Sequence, residues 1–101
     1  MIYFWDGFGD DEKLVMSLVA EVLLSPNDAV NASRIAQAIQ KEHYPVKLST
    51  DTIRLTLEEL TRVDVLKKVG DETFCFRIDL LRLWIKKSHS IWRVVREVRT
   101  L

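Results

Sequence analysis

The hydrophobic pattern of this chain changes its period once, after Asp64. Before that residue, apolar side chains recur at the three- and four-residue spacing of helices; after it come two short β-prone runs, 65–69 and 73–78, around the turn Gly70-Asp71-Glu72. In the second run the alternating residues are Phe74, Phe76 and Ile78 on one side and Cys75 and Arg77 on the other. The alternation predicts a half-buried strand, and the two runs together predict a β-hairpin.

Three helical patterns precede the hairpin. The predicted helix caps are Asp10 for the first, Asn31 or Ser33 for the second, and Ser49 for the third. The first helix ends at Ser25-Pro26, because the residue before a proline avoids helical geometry. The second fades at His43-Tyr44-Pro45, and the third continues to Arg62. With 101 residues the chain supports one hydrophobic core, so we expect a single, mainly α domain with a small hairpin.

A further helical pattern follows the hairpin. Asp79 is the expected cap of a helix over 80–87, and Ser88-His89-Ser90 then weakens the helical signal, which predicts either one kinked helix or two helices. The apolar face of the last segment consists of Ile91, Val94, Val95, Val98 and Leu101. Something must cover this face, and the candidates are the aromatic segment Ile2–Trp5 and a second copy of the chain.

The composition excludes several classes of protein. Fifteen basic and fifteen acidic residues give no net charge, which removes the general electrostatic reason for binding nucleic acid or an anionic membrane. One cysteine and two histidines are too few for a structural zinc site, so we expect no metal and no cofactor. The sequence lacks both an apolar run of membrane-spanning length and the order of a signal peptide. These features predict a cytoplasmic setting.

The charges are balanced in number but not in position. Residues 1–30 hold six acidic residues against Lys13, whereas residues 79–101 hold six basic residues against Asp79 and Glu97. The oppositely charged ends predict that the terminal segments lie near each other or meet across a dimer.

Three helices followed by a hairpin are the order of a winged helix-turn-helix domain. The stretch that carries the likeness is ASRIAQAIQ followed by LSTDTIRLTLEELTRVDVLKKVGDETFCFRI, and it resembles the core of many such domains. The flanks WDGFGDDEKLVMSLVAEVL and FRIDLLRLWIKKSHSIWRVV are similar to the winged-helix segment that follows the P-loop ATPase core in large bacterial and archaeal regulatory NTPases. The resemblance implies one winged-helix domain over 1–101, with its core at about 10–78 and a helical extension over 79–101. It also implies a module of a longer protein.

No enzyme chemistry is evident in the sequence. The chain lacks the Gly-x-x-x-x-Gly-Lys-Ser/Thr run that would cradle a nucleotide, and no Ser-His-Asp or paired-carboxylate arrangement stands out. Cys75 has no histidine close in sequence to activate it. Successive carboxylates at Asp10-Asp11-Glu12 suit a helix start and do not converge on a cation. The prediction is therefore a non-enzymatic domain.

Winged-helix domains commonly read DNA with the third helix, and this chain supplies candidate contacts. They are Lys47, Ser49, Thr50, Thr52 and Arg54 near the start of that helix, and Lys67, Lys68 and Arg77 in the wing. The outer face of the helix argues against DNA, because its charged residues are three acids and two bases around Leu55. The wing tip at Asp71 and Glu72 is acidic as well. Leu55 is better explained by a contact with protein.

Two functions therefore stand side by side. The leading one is a regulatory module that contacts protein, either an ATPase domain of the same polypeptide or a second copy in a homodimer. The residues proposed for that interface are Leu55, Trp5, Trp84, Trp92, Arg93 and Arg96. The alternative is the DNA-binding domain of a transcription regulator. The sequence identifies neither the protein partner nor a DNA sequence.

Overall fold

A computed structural model describes the backbone of residues 2–99 and the side chains of residues 4–98. It contains six helices and one antiparallel hairpin over this range. The elements are α1 (Ile2–Asp6), α2 (Asp10–Val22), α3 (Ala32–Lys41), α4 (Thr50–Arg62), β1 (Leu66–Gly70), β2 (Thr73–Phe76), α5 (Asp79–Ser88) and α6 (Ile91–Arg99). The sequence-based expectation of a mainly helical fold with a hairpin is confirmed. Thr100 and Leu101 lie outside the described residues.

Two of the predicted helix caps are present. The Asn31 side chain accepts a hydrogen bond from the Arg34 amide at 2.8 Å, and Ser49 Oγ accepts one from the Thr52 amide at 3.1 Å. The prediction of Asp10 as a cap is wrong: Gly9 takes the cap position, and its amide donates to Glu12 Oε1 at 3.0 Å. That bond satisfies a donor at the helix start, so Asp10 joins the first turn.

The second helix, α2, is the centre of the fold. Seven consecutive residues, 14–20, are buried, and α2 contacts α3, α4, α5 and α6. The sequence pattern predicted a single apolar face for α2, whereas in the structure other helices pack around it on all sides. Ser17 tolerates burial because its hydroxyl donates to the Lys13 carbonyl at 2.7 Å. The helix ends at Val22, because the next residue, Leu23, has extended geometry. This end precedes the predicted stop at Ser25-Pro26.

The connection from α2 to α3 is held by a bidentate ion pair. Arg34 donates to both carboxylate oxygens of Asp28, at 2.9 and 3.0 Å, and to the Ala29 carbonyl at 2.8 Å. The Arg34 hydrogen bond lowers the pKa of Asp28 to about 2. The pair fixes the approach of Val30, which bridges to Phe74 of the hairpin through two backbone hydrogen bonds, at 2.8 and 2.7 Å.

The hairpin differs from its prediction at one strand. β1 pairs with β2 in the register Leu66 to Phe76, with an irregularity between Lys68 and Gly70. Phe74, Cys75 and Phe76 are all buried, so the expected alternation is wrong there. β2 lies between β1 and the Val30 bridge, and side chains on both of its faces are buried. Ile78 lies beyond the strand and is 64% exposed, so its predicted place in the hairpin core is also wrong.

The carboxy-terminal segment forms two helices separated at His89, where the backbone leaves helical geometry. Ile78 precedes α5, so Asp79 is the first helical residue and not the cap. The apolar face of α6 is buried against α2 of the same chain. The expected cover was the Ile2–Trp5 segment or a second copy. The neighbour that the structure shows is α2, whose all-round apolar surface the sequence pattern did not indicate. Contact with a second copy stays a prediction.

The aromatic residues near the two ends form one cluster. Trp5 is buried, its ring stacks on His89 with centroids 4.1 Å apart, and it meets Trp84 edge-on at 6.4 Å. Phe4 also contacts Trp84. The terminal segments therefore lie together, as the charge pattern suggested, but through apolar contacts. No salt bridge joins residues 4–30 to residues 79–98.

Arg82 is the one charged side chain in the core of the described residues, with 6% of its surface exposed. Its Nε donates to Asp79 Oδ1 at 2.6 Å, and Nη1 donates to the Leu23 carbonyl at 3.3 Å. The first of these bonds lowers the pKa of Asp79. The second occupies a carbonyl just after α2, where helices leave acceptors unpaired. Arg82 thereby ties α5 to the end of the central helix.

We expect Arg82→Met to lower the free energy of unfolding by about 2 kcal/mol, because it leaves the Leu23 carbonyl and the Asp79 carboxylate without their donor. Urea unfolding followed by circular dichroism measures the change. Lys86→Met, at an exposed position of the same helix, is the control and should change stability by less than ~0.5 kcal/mol. Equal effects of the two substitutions would contradict this role.

We also expect stability to fall in mild acid because of His89. Its Nδ1 is buried without a hydrogen-bond partner among the described residues, and desolvation lowers its pKa below the ordinary 6.5. Among the charges that act on it, Asp6 and Glu97 favour protonation, while Arg93 and Lys13 oppose it. The unfolded chain therefore binds the proton more readily, so this contribution is complete above pH 6.5 and is lost as the pH falls below it.

Urea unfolding at about pH 7.5 and about pH 5 tests this expectation. His89→Phe keeps an aromatic ring beside Trp5 but cannot titrate, so it should lose less stability over that interval than the wild type. An identical loss in both proteins would show that other groups carry the acid sensitivity.

Candidate functional site

The outer face of α4 holds Leu55, which the helical spacing predicted to point away from the core. The structure agrees: Ile53, Leu57 and Leu60 are fully buried, whereas Leu55 is 60% exposed. The core positions repeat every three to four residues, so Leu55 falls on the opposite side of the helix. This register places an apolar side chain at the middle of the exposed face.

Charged residues around Leu55 are paired with one another. Arg54 reaches Asp51 at 3.5 Å, and Arg62 donates to both oxygens of Glu59. These contacts lie three residues apart along the helix. The Arg62 hydrogen bond lowers the pKa of Glu59 and keeps it ionised.

A third pair joins the hairpin to α4. Lys68 Nζ lies 3.0 Å from Glu58 Oε1, and it also sits over the Phe74 ring, 5.6 Å from the centroid. Two predicted DNA contacts, Arg54 and Lys68, thus have carboxylates of their own chain as neighbours. We call Leu55 together with these three ion pairs the α4 face.

The predicted DNA contacts at the start of α4 lie partly together. Lys47, Ser49 and Thr50 line one depression of about 420 Å³ beside α3. Ser49 and Thr52 are occupied with each other, because Ser49 Oγ donates to Thr52 Oγ1 at 2.9 Å while capping the helix. Lys47 is exposed and has no salt bridge with the described side chains.

Next to this depression is a cleft of about 190 Å³ between α3, α4 and the hairpin tip. Its lining includes Thr50 and Arg54, but also the acidic residues Asp71 and Glu72. Two carboxylates in a small cleft repel an anion such as a phosphate. The acidic tip therefore offsets the positive charge that basic residues at the start of α4 would present to a phosphate.

The predicted DNA contacts in and after the hairpin are dispersed. Lys67 is exposed without a salt bridge to any described side chain. Arg77 lies after β2, with its guanidinium 3.8 Å from Asp64, just beyond the carboxyl end of α4. Since a 13-residue helix is about 20 Å long, Arg77 is far from Lys47 at the other end of α4. The predicted DNA contacts do not form one basic patch.

The predicted interface residues divide by exposure. Trp5 is buried inside the chain, so its assignment to an interface is wrong; the stack on His89 accounts for it. Trp84 is half-buried in the same aromatic cluster. Trp92 is half exposed on α6, with its ring against Tyr44 at 5.2 Å. Arg93 and Arg96 are exposed, and Arg93 pairs with Glu97 at 3.1 Å.

Sequence reasoning missed an apolar groove between the carboxyl end of α4 and the start of α5. Its volume is about 390 Å³, and we call it the α4–α5 groove. It is lined by Phe4, Val63, Asp64, Val65, Ile78, Leu80 and Leu81. The available signal was the pair Ile78 and Leu80 on either side of a helix start, but Ile78 had been assigned to the buried face of a strand.

Groups that carry chemistry are sparse in the described part of the chain. Cys75 is buried, and His43 lies on the surface with a positive φ of 55°. No three His, Cys, Asp or Glu side chains among the described residues come together as metal ligands. No described helix has both the length and the apolar character needed to cross a bilayer.

Comparison with known proteins found no match to a family model, to a curated protein or to a solved structure. A function for this chain therefore has to be inferred from its own surfaces.

Proposed function

We propose that this chain is a non-enzymatic winged-helix module that mediates protein contacts within an NTPase-like multidomain protein. The winged-helix assignment draws support from the order α2, α3, α4, β1 and β2, with Val30 bridging the hairpin. The observation that carries the function is the α4 face, where an exposed leucine is surrounded by internally paired charges. A lone buried cysteine fits a reducing, cytoplasmic setting.

An apolar centre with a polar rim is the usual composition of a protein interface. A protein that binds the α4 face would cover Leu55 and leave the ion pairs at the rim in contact with water. DNA binding needs basic side chains that are not already paired within the protein, because its affinity comes from cations that displace counterions from phosphates. Arg54 and Lys68 could provide this only by leaving Asp51 and Glu58, whose charges would then face the DNA.

The second candidate is DNA binding through the amino end of α4. It is favoured by the exposed Lys47, Ser49 and Thr50 along one depression. The acidic hairpin tip beside Arg54 counts against it. The two candidate functions predict different affinities for a DNA duplex, and these affinities can be measured directly.

We expect the wild type to bind a labelled random duplex at about 150 mM salt no more tightly than ~1 μM, the non-specific range. The double variant Asp51→Asn, Glu58→Gln should bind more tightly, by about tenfold at about 50 mM salt, because it releases Arg54 and Lys68 from their carboxylates. Fluorescence anisotropy follows both titrations. A salt-sensitive nanomolar complex of the wild type that is lost in Lys47→Ala would instead establish the DNA candidate.

Site-specific photo-crosslinking in cells tests the protein contact. A photoreactive residue at position 55 should give adducts that resist nuclease and contain peptides of a second polypeptide, because we expect the α4 face to meet protein. The same residue at position 47 samples the DNA candidate and is the matched control. Nuclease-sensitive adducts at both positions, with no protein adduct at 55, would refute the proposed function.

A further inference from the structure

The α4–α5 groove gathers several exposed and half-buried apolar side chains of the described surface into one concave site. Ile78 and Leu80, at its rim, are 64% and 68% exposed, and Phe4 and Leu81 are half-buried at its floor. Several large apolar side chains that share one concave site mark a binding surface.

The backbone holds this groove open. The Arg77 amide donates to the Val65 carbonyl at 3.0 Å, and the Leu81 amide donates to the Ile78 carbonyl at 3.0 Å. α5 turns Arg82 and Ile85 into the core, which directs Leu80 outward on the other side of the helix. The chain cannot bury Leu80 without giving up the buried Arg82. The groove is therefore formed before any partner arrives, and a preformed site lowers the entropic cost of binding.

The charge beside the groove is acidic. The segment 4–12, which supplies Phe4, contains four carboxylates and no basic residue. None of the four forms a salt bridge with the described side chains, and Glu12 acts electrostatically on Arg62, next to Val63. Asp64 lines the groove itself and has 75% of its side chain exposed.

The cations near the groove are already engaged. Arg62 pairs with Glu59, Arg82 is buried on Asp79, and Arg77 reaches Asp64 only at 3.8 Å. The carboxylates that the structure places beside the groove are Asp64, which Arg77 reaches only at 3.8 Å, and Glu12, which acts on Arg62 next to Val63. The groove therefore has an acidic wall. A partner that covers the apolar floor would gain by placing positive charge against this wall.

We propose that the α4–α5 groove binds an amphipathic helix of a partner protein, with apolar residues at i, i+3 or i+4 on one face and lysine or arginine on its flanks. The inference rests on the proposed function, a module for protein contacts, and adds a second surface and the chemistry of its partner. The groove is small, and interfaces below about 1,200 Å² are weak and transient, so we expect dissociation constants on the order of 10 μM.

Two synthetic peptides of about 14 residues serve as probes, with leucines at the same helical positions and either lysine or glutamate elsewhere. In fluorescence anisotropy at about 0.1 M salt, the lysine peptide should bind at least ~10-fold more tightly than the glutamate peptide. Leu80→Ser should weaken its binding at least ~10-fold. Leu24→Ser, at another highly exposed leucine that does not line the groove, is the matched control and should leave binding unchanged.

A charge variant tests the acidic wall. Asp64→Asn keeps a side chain that tolerates the positive φ of 64° at this position, and it should weaken the lysine peptide about threefold while reducing the salt dependence of its binding. Circular dichroism confirms that each variant is folded.

Four results would overturn this inference. They are equal binding of both peptides, binding of neither, binding that is lost in Leu55→Ser but kept in Leu80→Ser, and sedimentation showing wild-type self-association that Leu80→Ser abolishes. The third would move the site to the α4 face, and the fourth would make a second copy the occupant of the groove. The crosslinks at position 55 judge the proposed function independently of all four.

Discussion

The burial of α2 on all sides is the constraint on which the rest of the structure depends. A helix that is covered around its whole circumference needs several neighbours, and here α3, α4, α5 and α6 supply them. The helices after the hairpin thereby become part of the core. Arg82 completes the arrangement by filling the acceptor at the end of α2 from a helix nearly sixty residues later in the chain. Removal of the carboxy-terminal helices would expose the central helix.

The same constraint decides which surfaces face solvent. The buried face of α6 covers α2, and the aromatic cluster buries Trp5. Exposed apolar side chains remain on α4 at Leu55, in the groove between α4 and α5, and at separate positions such as Leu24 and Trp92. The first two of these surfaces differ in character: charges paired with one another surround Leu55, whereas Asp64 lines the groove.

Much of the fold could be predicted from local patterns. Side-chain chemistry within a few residues accounts for the caps Asn31 and Ser49, the register of α4 and the break near His89. The pattern left open whether that break kinks one helix or separates two. The errors arose at residues whose burial depends on contacts with distant parts of the chain. Cys75 is buried on the side of β2 that its alternating pattern predicted to be open, and Trp5 is buried where His89 meets it from the other end of the chain. For the candidate site, the exposure of Leu55 could be predicted, whereas pairs such as Lys68 with Glu58 depend on how the hairpin docks.

The bridge between Val30 and Phe74 joins parts of the chain that are more than forty residues apart. Closing a loop of that length costs chain entropy before the two hydrogen bonds are gained. Phe74 is among the largest fully buried side chains that the structure describes, and its burial helps to offset this cost. Because Lys68 of the same hairpin reaches Glu58, the electrostatic character of the α4 face depends on a bridge made by Val30, which precedes that face in the sequence.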